Sequence, residues 1–125
     1  MKASRQVDTA HRFLEHAAAG RAASDASKLV TKDFRHHNAY FKGDGASLFE
    51  AMDAHARQFP TKQLDVFLTL EDGNTVATYS KVVHKPGSPP AAVVHIFRFE
   101  DDRIAELWDV GQEIPADSPN ENGAF

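Results

Sequence analysis

Up to Pro60 the apolar residues recur at helical spacing; beyond it they alternate. Val7, Ala10, Leu14 and Ala17, with Phe13 beside them, predict a helix over 4–19 that Gly20 would end. Residues 21–31, with Leu29 and Val30 at their inner end, predict a second, short helix. The stretch 34–43 has no clean period and reads as a turn or loop dipping into the interior. Asp44 or Ser47, the latter followed by Glu50 in capping-box spacing, marks the start of a third helix. Its stripe is Leu48, Met52, His55 and Phe59, and Pro60 ends it.

After Pro60, Leu64, Val66, Leu68 and Leu70 alternate with Gln63, Asp65, Phe67 and Thr69, which is a strand pattern. Glu71–Asn74 is a turn, and Thr75–Lys85 a second strand rich in Val, Thr and Tyr. The run Pro86-Gly87-Ser88-Pro89-Pro90 breaks the chain before strands over Ala91–Glu100 and Arg103–Gln112. The tail 113–125 reads as irregular, with Phe125 as an anchor if it folds over a cavity mouth or across a partner. Helices followed by an antiparallel meander form an α+β pattern in one domain over 1–125. Four strands with one apolar face need a cover, and a sheet curled around the helices leaves a conical cavity between them.

The last hairpin admits a register test. With Asp101, Asp102 and Arg103 as a three-residue loop, Arg98 faces Glu106, Ile96 faces Trp108, Phe97 faces Leu107 and Phe99 faces Ala105. Each is a favourable cross-strand pair, and a shift by one residue loses the charge pairing. In this register His95 faces Asp109, their β-carbons about 4.5–5.5 Å apart. Their face also carries Val93, Phe97 and Leu107 and is the apolar one. The opposite face, with Val94, Ile96, Trp108 and Val110, is too apolar for open water, so a second copy of the chain is expected to cover it as a homodimer.

Composition narrows the function. The 125 residues hold no cysteine, which excludes disulfides, thiol nucleophiles and cysteine-bound metals. Fourteen basic against eighteen acidic side chains leave a formal charge of −4, against a nucleic-acid partner. No apolar run approaches a membrane span, and the N-terminal stretch lacks the apolar segment of a secretory signal, so a soluble, cytoplasmic protein is expected. Seven histidines raise the question of a metal, but no HExxH, HxH or paired-carboxylate spacing supports one, and no metal or cofactor is expected.

A carboxylate on an apolar face is the feature that points to chemistry. An unpaired buried carboxylate costs several kcal/mol, so such a group is retained more easily where a cavity, water or ligand meets it. Asp109 and His95 are therefore the candidate catalytic pair, with either able to serve as the base; a structural His–Asp hydrogen bond in a packed core is the alternative. Asn38 can donate and accept, suiting it to hold a carbonyl or hydroxyl group. The candidate substrate-binding set is His37, Asn38, His55, Tyr79, Phe97, Leu107 and Gln112. His84, beside the proline-rich break, reads as exposed, and Trp108 as pointing outward.

The stretch AVVHIFRFEDDRIAELWDVGQ, followed by DSPNENGAF, together with FRHHNAYFKGDGASLFEAM upstream, resembles SnoaL-like proteins of the nuclear transport factor 2-like superfamily. The resemblance implies a cone-shaped, cystatin-like α+β barrel, a strongly curved antiparallel sheet wrapped around three helices, and dimerisation through the outer sheet face. Characterised SnoaL-like enzymes are polyketide cyclases that close rings by aldol condensation, with an aspartate as acid/base and no metal. Asp109 matches that aspartate, His95 a pocket histidine on the preceding strand, and His37-Asn38 the family's His-Asn element. The chain departs from the common pattern at Ala39, Tyr79, His95 and Leu107. The expected function is acid/base chemistry on a small apolar or carbonyl-bearing molecule, by aldol cyclisation, isomerisation or dehydration. The alternative is a non-catalytic module that binds such a ligand in the same pocket.

Overall fold

A computed structural model of the chain describes residues 4–125. Helix α1 spans Arg5–Ala18, with the Ser4 hydroxyl accepting from the Val7 N–H at 3.0 Å as its cap. Gly20, at φ +78°, provides the left-handed residue past its end. Helix α2 spans Gly45–Gln58; Asp44 caps it by accepting from the backbone N–H and the hydroxyl of Ser47, both at 2.8 Å. The two helices bury Ala10, Phe13 and Leu14 from one and Leu48, Phe49 and Ala56 from the other.

The second predicted helix is not an α-helix. Residues 26–29 form a single 3₁₀ turn, and Val30–His36 is strand β1. The Asp53 carboxylate of α2 takes the backbone N–H groups of Ala22 and Ala23 at 2.8 and 3.1 Å, pinning this segment as turns. Residues 34–36, read from the sequence as loop, belong to a strand whose partner lies far along the chain. Strand β1 runs parallel to β5 (Arg103–Glu113), pairing His36 with Leu107. Local pattern carries little of such a pairing, because tertiary neighbours decide it.

Strands β2 (Gln63–Asp72), β3 (Thr75–Val83), β4 (Ala91–Glu100) and β5 form the predicted meander. The five strands lie in the order β1-β5-β4-β3-β2. The sheet is mixed and open, with β1 and β2 as its edges, so it curves around two α-helices without closing into a barrel. Phe13 bridges the layers, its ring 5.8 Å from Phe97 in edge contact and 6.3 Å from Phe49, which stacks on Phe34 at 5.8 Å. Among the described residues no helix is long and apolar enough to cross a membrane.

Two bulges reset the expected registers. The β4–β5 turn is a two-residue Asp101-Asp102 turn with φ +49° and +65°, so Glu100 faces Arg103 and Phe99 faces Ile104 rather than Ala105. Left-handed residues in both positions match the twist of the flanking strands, and aspartate tolerates that conformation. Ala105 is the extra residue, and from Arg98–Glu106 onward the pairing is the predicted one, including His95 opposite Asp109. In β2 a bulge at Phe67 turns Leu68 and Leu70 to the outer face, where they are 61% and 69% exposed; simple alternation put them on the side of Leu64 and Val66.

On the outer face Glu106 gathers three cationic or hydrogen-bonding partners. It accepts from Arg35 Nε at 2.9 Å, His37 Nε2 at 2.6 Å and Arg98 Nε at 3.0 Å. These hydrogen bonds, Arg35's first, hold its carboxyl down at about 2 against an ordinary 4.5. A depressed folded-state value means stabilisation that is complete above pH 4.5 and lost as pH falls towards 2. Glu106→Gln is expected to lower the melting temperature at pH 7, with the gap to wild type narrowing between pH 4.5 and 2. A gap that stays constant across that window contradicts the assignment.

Candidate functional site

A row of polar side chains crosses the helix-facing side of the sheet. Thr69 of β2 faces Thr78 of β3, Thr78 faces His95 of β4, and His95 faces Asp109 of β5. Asn38, just past β1, extends the row by donating from Nδ2 to Asp109 Oδ2 at 3.0 Å. At the other end His11 of α1 meets the Thr69 hydroxyl at 2.9 Å. On one side of the row lies the core of Val76, Phe97 and Leu107. The imidazole nitrogen His95 Nδ1 and the hydroxyls of Thr78 and Ser80 are buried and have no hydrogen-bond partner among the described residues.

Beside this row, between the helices and the sheet, lies a cavity of about 160 Å³. Leu14, Ala17 and Ala18 of α1 and Met52 of α2 form one wall, with Leu64, Val82 and Val93 of the sheet opposite. The small side chains of Ala17 and Ala18 keep α1 from filling the space. Three nitrogen-bearing side chains complete the lining: His95, Lys62 and His84. His95 is buried, and desolvation lowers its pKa while the Asp109 charge acts in the opposite sense. The imidazole therefore favours its neutral form, which can accept a proton.

A larger concavity, about 480 Å³, lies on the outer face, lined by Val94, Ile96, Trp108, Val110 and their neighbours. It is the apolar surface on which the sequence leads one to expect a second copy. The inner cavity is smaller, yet unlike the outer groove it has layers on both sides and an imidazole in its wall. Asp109 borders the outer groove and is absent from the inner lining. Among the described residues it makes no hydrogen bond to His95; its carboxylate is engaged by Asn38. The expected pair is thus placed side by side on β4 and β5, and of the two only His95 lines the inner cavity.

The remaining predicted residues scatter. Asn38 is held from both ends of its amide: its Oδ1 accepts from the Tyr40 N–H at 3.0 Å while its Nδ2 donates to Asp109, so it positions that carboxylate. His37 sits on the outer face, stacked on Trp108 at 5.0 Å and bound to Glu106. Tyr79 also points outward, its hydroxyl donating to the Ala124 carbonyl at 2.6 Å. Phe125 packs there on Phe67 and Tyr79 under Lys81, so the tail crosses its own sheet's outer face instead of the cavity mouth. Gln112 lines a surface hollow beneath that tail. Phe97 and Leu107 are core residues with no share in the cavity wall.

His55 is near the cavity without lining it. Its Nδ1 accepts from the Lys62 amine at 2.7 Å, and its ring stands edge-on to His84 at 4.9 Å. Sequence reading missed Lys62 and took His84, at the end of a strand, for exposed, whereas it is half-buried. The available signal was position: each directly flanks a strand, Lys62 before β2 and His84 after β3, with inward-facing Leu64 and Val82 two residues away.

Comparison with known proteins places this geometry in a family. The sequence profile of the SnoaL-like domain matches residues 10–107, more than three-quarters of the chain. The chain belongs to the SnoaL-like family. Among curated proteins none matches it significantly. Several solved structures share the fold. A cystatin-fold protein from Novosphingobium aromaticivorans superposes with a TM-score of 0.70 at 18% identity, covering 87% of this chain and 99% of its own. A candidate ketosteroid isomerase from Kribbella flavida gives 0.70 at 18% identity over 97% and 88% of the two chains. IdmH, a candidate polyketide cyclase from Streptomyces antibioticus, gives 0.68 at 18% over 86% and 92%. At these identities the likeness concerns the fold.

The electrostatics of this SnoaL-like site can be read by NMR titration. His95 is expected to titrate below the ordinary 6.5, because burial outweighs the neighbouring carboxylate. Asp109→Asn removes the one influence that raises it, so the midpoint is expected to fall further. A midpoint that rises in the variant, or a wild-type midpoint above 6.5, contradicts the arrangement.

Proposed function

We propose that this SnoaL-like chain is a small-molecule enzyme that moves a proton on a carbonyl-bearing compound held in the inner cavity, in an aldol cyclisation, isomerisation or dehydration. The observation that carries the reading is the buried, neutral-leaning imidazole of His95 in a cavity wall made mostly of apolar side chains, paired with Asp109 across β4 and β5. In this reading His95 is the general base. Asp109 stabilises the imidazolium once the proton has been taken, and Asn38 fixes the carboxylate, a division of labour seen in other His–carboxylate pairs. An apolar wall strengthens these interactions by excluding water.

The separation of Asp109 from the cavity wall favours one second reading, a module that binds the ligand without turning it over. Exchange of α-hydrogens in D₂O, followed by NMR across a panel of small cyclic and aromatic ketones, separates the two. The enzyme is expected to accelerate exchange on at least one ketone. His95→Gln should reduce that rate by about 10²–10⁴-fold, the contribution of a positioned base, and Asp109→Asn by less. Saturable ketone binding without exchange supports the binding module; equal exchange by wild type and His95→Gln removes His95 from the chemistry.

A further inference from the structure

The two ends of the inner cavity differ in charge. At one end is neutral-leaning His95; at the other, Lys62 and His84 flank the mouth, and no acidic residue belongs to the lining. A lysine ordinarily keeps its ammonium in water while its stem covers apolar surface. Lys62 instead turns its amine to His55 Nδ1 at 2.7 Å, and among the described residues no carboxylate lies within ion-pair distance of it. Accepting that bond requires His55 to be neutral at Nδ1. His84, edge-on to His55 and stacked with Phe59 at 5.2 Å, encloses the group from the side of β3. Lys62 and His84 thus meet at one end of the lining with His55 beside them, and among the described residues no carboxylate pairs with any of the three.

Resting on the reading of this cavity as the ligand site, we propose that its mouth recognises an organic carboxylate: Lys62 and His84 bind the carboxylate of a compact acid whose apolar ring lies between Ala18, Met52 and Val93, towards His95. Burial holds the Lys62 amine below the ordinary lysine range and, with the charges of Lys62 and His84, holds the His55 imidazole below its own. A bound carboxylate supplies the counter-charge this cluster lacks, and its hydrogen bonds with the amine are charge-assisted. Size agrees with this ligand class. A cavity of about 150 Å³ takes one benzene ring, close to the 160 Å³ available here.

Benzoate and benzamide, equal in shape and differing in charge, test the proposal. Calorimetry and NMR on the full chain at pH 7 are expected to show benzoate binding about tenfold or more tightly than benzamide, with the largest shifts at His84, His55 and Met52. Lys62→Met should bring the two affinities together, and Lys62→Arg should retain most of the preference for benzoate. Equal affinity of wild type for the two compounds overturns the carboxylate site, and that comparison needs no variant to fold. A preference that survives in Lys62→Met overturns the role of Lys62. Binding of neither compound, or shifts confined to Trp108 on the outer face, counts against the cavity reading itself and the proposal with it.

Discussion

The pairing of His95 with Asp109 across β4 and β5 places an imidazole where burial opposes its protonation and a carboxylate favours it. That balance depends on register. Because side chains alternate across a strand, a slip of one residue would send His95 to the outer face and Trp108 or Val110 to the helices. The register is held by the pairs on either side, Arg98 with Glu106 and Phe97 with Leu107. The Ala105 bulge lets the Asp101-Asp102 turn close without disturbing them. The ion cluster on the outer face and the His95–Asp109 pairing are consequences of the same alignment.

The inner face divides into a closed and an open half. Phe13, Phe97, Val76 and Leu107 fill the first completely. In the second, α1 presents alanines where large side chains would be needed to reach the sheet, and the space left is lined by Val82, Val93 and His95. Hydroxyls at Thr78 and Ser80 lie buried near the boundary between the two halves, so polarity rises where packing loosens. A core evolved for stability alone would place apolar side chains there, since Val for Thr is nearly isosteric and avoids an unmet hydrogen bond. The same open half carries Lys62 and His84 at its rim, which makes the cavity polar at both ends and apolar between.

Much of this was legible from residue order because the decisive contacts are local or semi-local. The period-two runs located four strands, Asp44 and Pro60 bracketed α2, and cross-strand complementarity gave the His95–Asp109 pairing before any coordinates. What escaped depends on distant partners or on single-residue irregularities. Strand β1 exists because β5 returns beside it, and Asp53 overrides the helical character of 21–31 from another element. The Phe67 bulge sends Leu68 and Leu70 outward against a clean alternation. For the candidate site, the register placed His95 beside Asp109, but His37 and Tyr79 face the other side, where Glu106 and the C-terminal tail engage them. Lys62 and His84 converge only once the ends of β2 and β3 lie side by side, which no short motif encodes.

In the function proposed above, the smaller cavity between the helices and the sheet, and not the wider outer groove, receives the guest molecule. Anomalous diffraction from crystals soaked with bromobenzene, a neutral probe, asks this directly. The account predicts a bromine peak among Ala18, Met52, Val93 and His95. Bromine found only against Trp108 and Ile96 on the outer face, with the inner cavity unaltered, would contradict it.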